Sequence, residues 1–135
     1  MNPQTIALVQ DSWRRVLPMG AAVGDLFYQH LFEADPTLKP LFQGNVHQQA
    51  FKLIQMIDVA VGQLGALDTL VPVLQQLGQR HLGYGVQAAH YDTVGAALLK
   101  TLEQGLGSSF TPDTRAAWTA VYGVMADVMQ TPAPS

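Results

Sequence analysis

The stretch Gln79-Arg80-His81-Leu82-Gly83-Tyr84-Gly85 decides how this chain reads. Upstream of it, Leu70, Leu74, Leu77 and His81 recur at helical spacing, so one apolar stripe ends in an imidazole. Gly83 and Gly85 then break the helix. A histidine aimed into a core from the last turn of a helix has three uses. It is a satisfied core residue, a catalytic base or a metal ligand.

Outward from that stripe, apolar residues keep a helical period almost everywhere. Ile6, Val9, Trp13 and Val16 mark a first helix from about Gln4 to Leu17, broken by Pro18 and Gly20. A second runs from about Ala21 to Ala34, and Asp35-Pro36 opens a short third over Thr37 to Phe42. The fourth spans Val46 to Leu64 and Gly65 closes it. Asp68-Thr69 begins the fifth, with Pro72 tolerated in its first turn. The sixth covers about Gln87 to Leu106, with a stripe at Tyr91, Val94, Leu98 and Leu102. Thr111-Pro112-Asp113 starts the last, which reaches about Met129. No alternating run of useful length suggests a strand. The expectation is an all-α chain of about seven helices with crossed axes around one centre.

A chain of 135 residues reads as one domain, here 1–130, with Thr131-Pro132-Ala133-Pro134-Ser135 as a disordered tail. Hydrophobic residues make up 48% and charged residues 13%, which fits a globular fold. The net charge of −3 argues against nucleic acid or an anionic membrane as partner, since phosphates are bound mostly by Lys and Arg. The absence of cysteine excludes disulfides, thiolate metal sites and thiol catalysis. The N-terminus lacks a signal-peptide pattern, and no apolar run nears the roughly 20 residues of a membrane span. A cytoplasmic protein with no membrane span is the default expectation.

Most chemistries of His81 then fall away. His30, His47 and His90 form no i, i+4 pair with it or with one another, which disfavours zinc. No Asp or Glu interrupts the apolar stripes of the fourth and fifth helices, which removes di-iron and paired-carboxylate sites. Phosphate-loop, nucleophile-elbow and zinc-protease motifs are missing. Two polar residues stay open. Gln49 shares a face with Leu53, Ile57, Ala60 and Leu64, either at its solvated edge or as a donor into a cavity. Tyr28 is either a core residue with a surface hydroxyl or a donor into the same cavity. Gly24 and Ala50 are small enough to let their helices cross closely and bring the two together. A lone imidazole in an apolar cage suits haem iron, where the porphyrin supplies the other four nitrogens.

At this point the chain resembles the globins, and within them the bacterial single-domain globins and the globin domain of flavohaemoglobins. The resemblance rests on segments in order from Thr5 to about Met129. These are Leu26-Phe27-Tyr28 with His30-Leu31-Phe32; Pro36 with Pro40-Leu41-Phe42; and Gln49 with Lys52-Leu53. Next come Leu77 with Arg80-His81, then Ala89-His90-Tyr91 with Val94-Gly95, and finally Ala117-Trp118 with Val121-Tyr122-Gly123. It implies a globin fold without a separate D helix, around a haem b pocket. It implies His81 as proximal iron ligand, and Tyr28, Gln49 and Leu53 on the distal side. Phe42, Ile57, Leu77, Val86, Tyr91, Val94 and Tyr122 would line the porphyrin, with Arg80 as a propionate partner. The ligands implied are O2, CO and NO, for oxygen binding or delivery. The alternative is NO dioxygenation fed by an external reductase. In flavohaemoglobins a last-helix glutamate joins the proximal His and a Tyr in a hydrogen-bonded set. Its place here falls near Ala133, so that set looks incomplete.

Overall fold

The computed structural model describes residues 2–41, 46–83 and 88–130, except for the side chains at 21, 41, 46, 47, 53, 67, 78–83 and 88. Six α-helices and no strand occur among the described residues. They are α1 (Pro3–Val16), α2 (Ala21–Ala34), α3 (Val46–Gly62), α4 (Leu67–Gly83), α5 (Ala88–Leu106) and α6 (Pro112–Gln130). The short third helix of the sequence reading is a 3₁₀ helix, Pro36–Leu41. It carries Pro40, which has no N–H to offer an α-helical ladder. The fold class is therefore the expected one, with six α-helices and this 3₁₀ segment in place of seven.

Side-chain chemistry explains the boundaries. The Asn2 side chain accepts from the Thr5 N–H at 2.8 Å, so α1 starts at Pro3. Asp35 accepts from the Thr37 N–H at 3.0 Å and turns the chain into the 3₁₀ segment. Thr111 caps α6 through the Thr114 N–H at 3.2 Å. Gly20 takes φ of 60°, a left-handed value that separates α1 from α2. The fourth helix was expected to run to Leu64 with Gly65 as its stop. Instead α3 ends at Gly62, and Leu64–Ala66 forms a 3₁₀ turn in which Gly65 keeps a negative φ.

The largest contacts join α2 to α3 and to α5, and α6 to α1 and to α4. Trp118 of α6 lies at the centre, fully buried, with Val9, Val16, Leu31, Leu70, Leu102 and Val121 also at or near zero exposure. Its indole N–H donates to Ser12 Oγ at 2.8 Å, and that hydroxyl donates to the Leu8 carbonyl at 2.7 Å. The one polar atom of a buried indole is thereby satisfied. Trp13 lies 6.1 Å from Trp118, centroid to centroid, and donates to Asp58 of α3 at 2.9 Å. Gln10 donates to the Val61 carbonyl at 3.0 Å. Through these bonds α1 ties α3 and α6 together from behind. Among the described residues no helix is long and apolar enough to cross a membrane.

Candidate functional site

Every helix except α1 contributes to one apolar cleft. Phe27 comes from α2, Met56, Ile57 and Ala60 from α3, and Leu74 and Leu77 from α4. His90, Tyr91, Val94 and Leu98 come from α5, and Trp118, Tyr122, Met125, Ala126 and Met129 from α6. The cleft encloses about 830 Å³ of empty space, its open mouth included. Its surface is almost wholly carbon and sulfur, which suits a large apolar ligand with few polar contacts. Among the described residues no group of three or more His, Cys, Asp or Glu stands ready to hold a bare metal ion. The walls thus fit a group that carries most of its own metal ligands, as a tetrapyrrole does.

Five residues named from the sequence line this cleft: Ile57, Leu77, Tyr91, Val94 and Tyr122. Phe42 and Val86 lie outside the described residues, as do the side chains of Leu53, Arg80 and His81. The backbone of residue 81 is in the last turn of α4. Leu70 and Leu74 of the opening stripe are 1% and 4% exposed, so α4 turns that face inward. Tyr28 and Gln49 are not among the lining residues. Tyr28 is buried directly behind them, its ring edge-on to Phe27 at 5.3 Å and stacked on Phe32 at 5.8 Å. Burial pushes its hydroxyl up to about 12, so the neutral, hydrogen-donating phenol persists through physiological pH. Gln49 is half-buried on α3.

Two glycines set the geometry of the walls. A methyl group on Gly24 would stand 2.6 Å from Ala50 Cβ and 3.0 Å from its Cα and carbonyl oxygen. Helices α2 and α3 therefore touch backbone to backbone there, one turn from Tyr28 and next to Gln49. A methyl on Gly95 would stand 2.8 Å from the Tyr122 ring. That ring fills the notch on α5, and its hydroxyl donates to the Tyr91 carbonyl at 2.6 Å. Burial raises the Tyr122 hydroxyl above its ordinary value, and the charges of Tyr91 and Asp92 add to this.

Sequence reasoning missed much of the α6 wall. Trp118, Tyr122, Met125 and Met129 recur at i, i+4, i+7 and i+11, a stripe that was available to find. His90, set aside as an unpaired histidine, also lines the cleft.

The globin family model matches residues 25–129. The chain is 30% identical to a flavohemoprotein of Bacillus subtilis (strain 168), over 94% of this chain. It is 32% identical to a flavohemoprotein of Chromobacterium violaceum, over 96% of this chain. It spans about a third of the length of either protein. It is also 30% identical to neuroglobin of Danio rerio, covering 90% of this chain and 86% of that one. Among solved structures, a bacterial globin from Campylobacter jejuni superposes with a TM-score of 0.79 at 25% identity, covering 93% of this chain and 91% of that one. A hexa-coordinate hemoglobin of Drosophila melanogaster gives a TM-score of 0.87 at 17% identity, covering 96% and 93%, a likeness of fold. With a family model spanning most of its length and an apolar cleft lined from five helices, this chain belongs to the globin family.

Proposed function

We propose that the cleft binds haem b and that the chain reversibly takes up a diatomic gas, O2 with CO and NO as further ligands. The observation that carries this reading is the apolar cleft itself, lined by residues of α3 and α4 together with those of α2, α5 and α6. On α4 the line Leu74–Leu77 continues at helical spacing to position 81, which supports His81 as the iron ligand. Bound haem would supply an iron centre with one coordination position open to the gas. Ile57, Leu77, Tyr91, Val94 and Tyr122 would pack on the ring and exclude water, with Phe42 and Val86 completing the wall and Arg80 meeting a propionate.

Tyr28, buried behind Phe27 and not on the cleft surface, would act on the bound gas by turning its hydroxyl past that wall, with Gln49 orienting it or donating beside it and Leu53 closing the pocket. A buried phenol keeps its proton, so the donor is present across the working pH range. A second reading is favoured by the flavohemoprotein relatives. There, the same site would oxidise NO when an external reductase returns electrons to it. The first test is a Soret spectrum after haemin is added to the purified protein. A Soret band abolished by His81→Ala and restored by exogenous imidazole is the expected result. No band in the wild-type protein would sink both readings. Consumption of NO over many turnovers with a reductase present separates the second from the first.

A further inference from the structure

The chain has no cysteine, and five methionines are its only sulfur. Three of them, Met56, Met125 and Met129, line the apolar cleft. Met125 and Met129 lie one turn apart on α6, and Met56 comes from α3, so the sulfurs reach the cleft from two walls. All three are half-buried. Met19 is 40% exposed and lies outside the cleft. A thioether is soft and flexible, and it takes up oxygen more readily than any other side chain lining this cleft.

We infer that Met56, Met125 and Met129 form an oxidation site, at which hydrogen peroxide converts thioether to sulfoxide and thereby loosens the cleft's hold on its cofactor. In each event the peroxide O–O bond breaks. One oxygen bonds to sulfur, which gives up two electrons, and the other leaves with both protons as water. A sulfoxide places a strong, polar acceptor on a wall that is mostly apolar, so the wall suits an apolar ring less well. The change is reversible, because sulfoxide reductases return the thioether. The inference rests on the haem reading, since a redox-active group in the cleft is what brings peroxide chemistry to these sulfurs ahead of exposed ones.

The test compares haemin-loaded with unloaded protein under a limited dose of hydrogen peroxide, by peptide mass spectrometry. Without haemin, Met19 gains oxygen first, as exposure dictates. With haemin, the order reverses, and the three cleft methionines are oxidised severalfold ahead of Met19. After oxidation, haem passes severalfold faster to an excess of an apo-globin acceptor, and sulfoxide reductase restores the slower rate. A Soret band with Met19 still oxidised first overturns the inference and leaves the haem reading standing. Sulfoxides in the cleft without faster transfer also overturn it. A chain that gives no Soret band at all overturns both.

Discussion

Tyr28 packs between Phe27 and Phe32 and is 6% exposed, so its hydroxyl has few places to act. If it donates to bound O2, losing it removes a hydrogen bond to a charged acceptor, worth about 1.5–3 kcal/mol. Tyr28→Phe is expected to speed O2 dissociation severalfold, up to about a hundredfold, as read by stopped-flow. An unchanged rate would remove Tyr28 from the distal role. The same residue carries a pH prediction. Its folded hydroxyl is raised to about 12 from 10.0, so its contribution to stability is complete below pH 10 and is lost as pH rises through 12. Denaturant unfolding between pH 10 and 12 should therefore fall more steeply for wild type than for Tyr28→Phe. Ser12→Ala would leave the buried Trp118 N–H without an acceptor and cost about 1–3 kcal/mol. Ser12→Thr keeps the hydroxyl and should lose less.

Helix α2 is held to α3 at a point where neither has room for a side chain larger than the one present. Gly24→Ala gains helix propensity of up to about 1 kcal/mol. It also drives a methyl to 2.6 Å from Ala50 Cβ with backbone behind it, so the helices must separate. Overpacking of this kind costs about 1–3 kcal/mol, and the net expected from chemical denaturation is a loss of stability. Adding Ala50→Gly should recover part of that loss, a coupling that independent sites would not show. On the opposite wall, Gly95→Ala would meet the face of Tyr122, whose hydroxyl is pinned to the Tyr91 carbonyl. The ring cannot yield without breaking that bond.

The molecule as a whole is a core built round Trp118 with a cleft beside it. A group that fills the cleft binds only the folded chain and stabilises it by mass action. At a hundredfold excess over its dissociation constant the gain is about 2.7 kcal/mol, or roughly 10 °C in Tm for a domain of this size. Haemin should produce that shift in calorimetry, and a haemin-independent Tm would contradict occupation of the cleft. The chain covers only a third of its flavohemoprotein relatives, so turnover by a reductase is a property to be tested with that partner supplied.

The helical class and most boundaries were determined by sequence alone, because periodicity and caps are local. Asp35-Pro36, Thr111-Pro112 and Gly20 each act within a few residues of themselves. The inward face of α4 was legible for the same reason, as a run of leucines at helical spacing. Five wall residues followed from that logic together with the family resemblance. What the tertiary structure alone decided are the contacts between residues far apart in the chain. Trp118 donates to Ser12 across 106 positions, and Tyr122 fits the notch at Gly95. Nearly every helix here has an apolar face, so the pattern shows which side turns inward but not what it meets. The sequence did not single out Trp118, Met125 and Met129 as wall residues, and only the packing of α6 against α4 and α5 makes them a wall.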